Sequence, residues 1–165
     1  MTDLDRASSD PKDTLWHELT QVEAGMLGIT GSGQHMQPMA HHVDAKAGCL
    51  WFLTTSDTDL AKALHPDSVA HFVIISGAQD FYACMSGPIA QRQDKAVLDA
   101  LWQTSAADHF VDGKDDPALM LIALDLESAA IWAQPQGGSH HAWHVPAATD
   151  DSPDKRGVRK HITFD

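Results

Sequence analysis

The sequence predicts a mainly β fold with added helices, an antiparallel sheet closing toward a small barrel. Three observations carry this. Short apolar runs of strand length recur along the chain, at 26–30, 49–53, 69–75 and 128–133. Most are separated by hairpin-like turns rather than by long helical patterns. Helical periodicity appears only at the start, after the Cys49 run and after the Phe81 run. Strand-dominated order with few helices favours an antiparallel barrel with helical additions over a parallel α/β sheet.

Taken in order, residues 1–12 are polar and read as a flexible N-terminus. Asp13 is placed to cap a helix with Leu15, Trp16, Leu19 and Val22 on one face, and Gly25 to end it. Met26 to Thr30 reads as the first strand and Gly31-Ser32-Gly33 as a turn. Gln34 to Val43 is the returning strand, and Pro38 within it marks an edge or a bulge. The aromatic-rich run Cys49-Leu50-Trp51-Phe52-Leu53 reads as a strand buried on both faces. It enters a hydroxyl-rich turn, Thr54-Thr55-Ser56-Asp57-Thr58, followed by Leu60, Ala61 and Leu64 at helical spacing. Such a turn offers donors that can hold an anion. Asp57 and Thr58 are equally ordinary cap residues, and residue type leaves the two open.

His65-Pro66-Asp67 stops that helix, and Ser68 to Ser76 is a strand. Phe81 to Gln91 is another, with a bend or bulge expected at Gly87-Pro88. Asp94 caps a helix with Val97, Leu98, Leu101 and Trp102 inward, and Phe110 to Pro117 is a loop. Leu119 to Leu126 and Ser128 to Ala133 complete the strands. The expected division is a flexible segment at 1–12, one domain at 13–133 and a C-terminal extension at 134–165 holding His140, His141, Trp143, His144 and a basic patch.

The totals exclude several classes. A net charge of −12 repels nucleic acid and anionic membrane surfaces. No apolar run reaches the ~20 residues of a membrane helix, and the polar N-terminus is neither a signal nor a transit peptide. Cys49 and Cys84 sit in apolar runs and read as buried free thiols, which with the missing signal peptide points to a cytoplasmic protein. Eleven histidines invite a metal reading. But His41 and His42 face opposite sides of a strand, and glycines and Pro146 disfavour the helix that would join His140 to His144. His35 is placed either to reach an anionic ligand or to lie in solvent. Asp115-Asp116 matches no calcium loop, and no metal site is expected.

Four segments, in their order and spacing, resemble the general stress protein branch of the pyridoxamine 5′-phosphate oxidase-like, FMN-binding split β-barrels. They are Gln37-Pro38-Met39; Leu50 to Thr54 with its helix; Ser86-Gly87 after Phe81-Tyr82; and Leu101-Trp102, Phe110, Gly113 to Pro117 with Glu127 to Trp132. The resemblance spans roughly Asp13 to Trp132. It implies a homodimer with a flavin, FMN, at each of two subunit interfaces. The flavin would lie against Phe52, Leu53 and Thr54. Its phosphate would face the Gln37 and Met39 strand, the Thr55-Ser56 turn and Lys62, and Trp132 would lie near the partner's flavin.

The sequence departs from the family at two cationic positions. Gln37 stands where the family usually has arginine, and Leu60 where it usually has lysine. Lys62, two residues on, is turned by roughly 200° on a helix. Losing two charge-assisted bonds of ~1.5–3 kcal/mol each weakens FMN by about two to four powers of ten. Two functions are therefore expected as alternatives. One is an FMN-binding protein in a stress or redox setting and, if an enzyme, a flavin-dependent oxidoreductase with no evident acid or base residue. The other is a dimeric binding or sensory module for another small molecule, with FMN binding weakened or lost.

Overall fold

The computed structural model describes residues 1–104, 106–110, 112–135 and 157–165. Its strands are β1 (Ala24–Ile29), β2 (Gln37–Ala40), β3 (His42–Asp44), β4 (Cys49–Thr55), β5 (Val69–Ile75), β6 (Phe81–Gln91), β7 (Leu119–Asp125), β8 (Ser128–Ala133) and β9 (Val158–Thr163). The helices are α1 (Leu4–Ser9), α2 (Pro11–Gln21), α3 (Asp59–Lys62), α4 (Lys95–Trp102) and α5 (Ala106–His109). The main path of the sheet runs β2-β1-β5-β6-β7-β4-β3, and every pairing is antiparallel. The long strand β6 makes the curl. It pairs with β8 through Ser86 and with β5 through Pro88, then turns its last residues, Ile89–Gln91, onto β7. The sheet closes as a half-barrel around Leu27, Leu50, Phe52, Phe72, Phe81, Ile122 and Leu124.

Pro38 falls on β2, the edge strand, where proline is tolerated. Cys49–Phe52 are all buried: Leu50 and Phe52 enter the main core, while Cys49 and Trp51 join a second cluster with Leu101 and Ala123. One face of β4 thus looks into the half-barrel and the other is covered by α4.

Several expectations are corrected. Residues 1–12 are not a loose segment. Asp3 caps α1, and Thr2 is buried, its N–H donating to Asp80 Oδ2 at 2.8 Å. The Asp80 carboxyl lies below the usual range, because hydrogen bonds from Thr2 and Ser76 outweigh its burial. Helix α2 starts earlier, at Pro11 behind an Asp10 cap, and ends at Gln21. Gly25 is instead in β1, where a Cβ would lie 2.4 Å from the Val73 carbonyl oxygen. The Gln34–Val43 strand is two strands broken at His41. The helix after Thr58 is a single turn. Within the 134–165 extension, β9 is a full strand of the sheet, paired along β8 from Ser128↔Thr163 to Ala133↔Val158. Arg159 and Lys160 lie on it. His140, His141, Trp143, His144, Lys155 and Arg156 lie outside the described residues.

His41, at the break, is held under α2. Its Nε2 donates to the Leu19 carbonyl at 2.8 Å, and its ring packs edge-on to Phe72 at 5.1 Å. Burial pushes its pKa below the 6.5 of a free imidazole, against the Leu19 hydrogen bond, which raises it. The unfolded chain therefore takes up this proton first, and folding stability falls as pH drops below about 6.5 until the folded imidazole also protonates. Urea titrations at pH 7.5 and 5.5 should show a smaller pH-dependent loss in His41→Gln than in wild type. Equal losses would place the titration elsewhere.

Candidate functional site

The site indicated by the sequence is built from the end of β4, the turn into α3, the strand β2 and the outer end of β8. Side chains alternate along β4, so its candidates divide between two faces. Phe52 and Thr54 are buried on the inner face. Phe52 is fully enclosed, edge-on to Phe72 at 5.1 Å. Leu53 is half-buried against the second cluster, and Thr55 lies on that same outer side. No single surface receives all four side chains, so a ligand lying along β4 would meet Phe52 through its backbone.

The hydroxyl turn is closed on itself. Thr54 Oγ1 donates to Thr58 Oγ1 at 3.0 Å, because Thr58 Oγ1 spends its own hydrogen on the Thr55 carbonyl at 2.9 Å. Thr58 Oγ1 also accepts from Ala61 N–H at 3.2 Å, the N-cap of α3. Thr55 Oγ1 donates to Asp57 Oδ1 at 2.5 Å. The Ser56 N–H is taken by the Ala118 carbonyl at 2.8 Å, and that of Thr58 by the Thr55 carbonyl at 3.1 Å. The Asp57 carboxyl lies below the usual carboxylate range, chiefly through the Thr55 hydroxyl, then its own backbone N–H, with the Lys62 charge contributing. The cap reading is the observed one.

Strand β2 comes alongside. Gln34, just before it, donates from Nε2 to the Asp59 carbonyl at 3.0 Å and ties this segment to α3. Gln37 Nε2 lies 3.4 Å from Met39 Sδ, and Met39 packs on the main core. Lys62 is exposed in the only turn of α3. Leu60 is 3% exposed and belongs to the core. Ser56 is exposed.

Trp132 stands apart from these residues, on the outer face of the sheet. Register puts Ile75, Tyr82, Trp132 and Arg159 in one row across β5, β6, β8 and β9. The Arg159 guanidinium lies over the Trp132 ring, 5.4 Å from its centroid. The Trp132 indole N–H is buried with no acceptor among the described residues. Sequence reasoning missed Arg159 because it follows a break in pattern after Ala133. It missed Gln34 because nothing local marks a side chain that bonds a residue 25 positions away.

A half-barrel of this order, with one long strand shared between its two sides, is the split β-barrel of the FMN-binding type. A family model described as pyridoxamine 5′-phosphate oxidase like matches residues 10–153. The chain belongs to that family. Among solved structures, it is 31% identical to a protein assigned as general stress protein 26 from Jannaschia sp. CCS1, covering 94% of this chain and 99% of that one, with a TM-score of 0.74. It is 29% identical to one assigned to the general stress family from Xanthomonas campestris pv. campestris, over 88% and 99% of the two chains, with a TM-score of 0.70. It is 27% identical to the general stress FMN/FAD binding protein of Xanthomonas citri, over 82% and 96%, with a TM-score of 0.68. No protein of curated function matches the sequence.

Proposed function

We propose that two copies of this chain pair through the outer face of the sheet and bind a flavin at the seam. The observation that carries this reading is an apolar face that no described element covers. The row of Ile75, Tyr82 and Trp132 lies beside a second row of Met26, Val73, Cys84 and Ala130. Ile75 is 50% exposed and Met26 41%. The opposite face of the same strands already forms the core, so this face is apolar without an internal reason. A second copy would cover it, and a flat aromatic ring with a polar rim suits the edge where Trp132 and Arg159 stand. A buried indole N–H lacking an acceptor costs about 1–3 kcal/mol. An acceptor brought in on assembly would recover it. The likeness to a protein described as FMN/FAD binding supports the same reading.

The fit differs at the two ends of the ligand. The ring end meets aromatic and apolar surface. The phosphate end meets a turn in which the Thr54, Thr55 and Thr58 hydroxyls are already engaged and the Lys62 charge already acts on Asp57. Electron transfer is the chemistry a bound flavin would supply; this chain's residues would hold the ring and keep water from it. No described side chain at the site is placed as an acid or base, so the reading stops at flavin binding with redox capacity.

Light scattering on the purified protein should give twice the chain mass, with flavin absorbance that survives gel filtration. Ile75→Asp costs the isolated chain little, because the side chain is already half in water, yet it puts a charge in the seam. It should yield a folded monomer that has lost the flavin. A wild-type monomer that neither carries nor takes up any flavin would refute the proposal.

A further inference from the structure

We infer that this site selects a flavin without a phosphate, an uncharged riboflavin-type ligand, over FMN. The inference rests on the flavin reading above and goes on to name which flavin.

The turn after β4 already contains an anion, and that anion is its own. The Asp57 carboxylate takes the Thr55 hydroxyl at 2.5 Å and its own backbone N–H, and it lies within the field of Lys62. Four further donors of the turn are engaged within the protein. Thr54 gives to Thr58, Thr58 to the Thr55 carbonyl, Ser56 N–H to the Ala118 carbonyl, and Ala61 N–H to Thr58 Oγ1. A phosphate drawing on these donors would have to break their present bonds. It would also bring nearly two negative charges beside Asp57 and Asp59.

Neither Gln37 nor Leu60, where the resemblance leads one to expect a cation, compensates. Leu60 is turned into the core, and Gln37 rests against Met39 Sδ. Apart from Lys62, the side chains that remain are uncharged and able to hydrogen-bond: the Gln37 amide, the Gln34 amide that bridges to Asp59, and the Ser56 hydroxyl. Amides and hydroxyls suit the hydroxylated ribityl chain of a neutral flavin, and they hold a dianion poorly without a cation.

Calorimetric titration of the full-length protein, stripped of any bound flavin, with riboflavin and with FMN tests this. Riboflavin should bind at least about tenfold tighter, equivalent to about 1.4 kcal/mol. The salt dependence carries the sign. FMN affinity should rise between about 50 and 500 mM NaCl, because salt screens repulsion, while riboflavin affinity stays level. Asp57→Asn should tighten FMN several-fold and leave riboflavin unchanged. FMN binding equal to or tighter than riboflavin, or weakening with salt, would overturn the inference, since either result requires a cation at the phosphate, from a partner subunit if not from this turn. Binding of neither flavin would instead overturn the flavin reading itself.

Discussion

Gly87→Ala should abolish the folded protein rather than weaken it. A Cβ at this position would lie 1.7 Å from the Asp125 carbonyl oxygen, 2.9 Å from its carbon and 3.1 Å from Glu127 N. All three are backbone atoms, so no flexible side chain can swing aside. The backbone on both sides is tied down. Glu127 N–H donates to the Ser86 carbonyl at 2.9 Å, and Leu126 N–H to the Gly48 carbonyl at 3.0 Å. At Gly87, strand β6 passes from β8, paired through Ser86, to β7, paired from Ile89, while its ladder with β5 runs on to Pro88. Opening the contact therefore means parting the two halves of the sheet at the strand they share. Overpacking in a deformable core costs about 1–3 kcal/mol. A backbone overlap this deep should exceed about 5 kcal/mol, much of the stability of a domain this size. Gly77→Ala is the control, since nothing lies within 4 Å of its added Cβ. Circular dichroism and melting should find Gly77→Ala close to wild type and Gly87→Ala unfolded or insoluble. Melting of Gly87→Ala within about 5 °C of wild type would show that the β7–β8 connection does not approach β6 there.

Phe52→Ala should lower stability by about 3–5 kcal/mol. The ring is fully buried, and its edge-on contact with Phe72 adds to the area it removes from water. The family resemblance puts Phe52 among the residues against the flavin. Its side chain faces the interior, so the expected loss is of folding, with flavin affinity near wild type at temperatures where the variant remains folded. Leu53→Ala is the contrasting case. Leu53 is half-buried on the opposite face of β4, so its loss should cost less stability. Urea unfolding of both variants, with flavin titration of each, separates the roles. A Phe52→Ala variant within about 1 kcal/mol of wild type would remove this ring from the core.

The legible parts of the fold share a character. Strand β8 covers Ser128–Ala133, the span its apolar run predicts, and β4 begins at Cys49 as expected. Pro38 marks an edge strand, and Gly87 marks the place where β6 changes partners. Asp94 caps α4 and Thr58 caps α3. Each of these signals lies within a few residues of what it specifies. The unreadable parts are of another kind. Thr2 docks on a carboxylate 78 positions away, and a polar N-terminus becomes part of the packed structure. Strand β9 reads as tail until β8 offers it an edge.

The candidate site divides the same way. Its residue types, hydroxyls with Gln37 and Leu60 in place of cations, are plain in the chain. Whether those hydroxyls are free to hold a ligand is not, because that depends on where each hydrogen is spent.

By itself, then, the sequence determined the family, the antiparallel, mainly β class and the absence of cations at two expected positions, since periodicity, turn chemistry and residue identity are local properties. Only the tertiary structure decided that Phe52 points inward, that Asp57 takes the Thr55 hydroxyl, and that Arg159 lies over Trp132. Direction and hydrogen-bond partner are properties of the closed sheet, settled when distant segments meet and compete for the same donors and the same interior space.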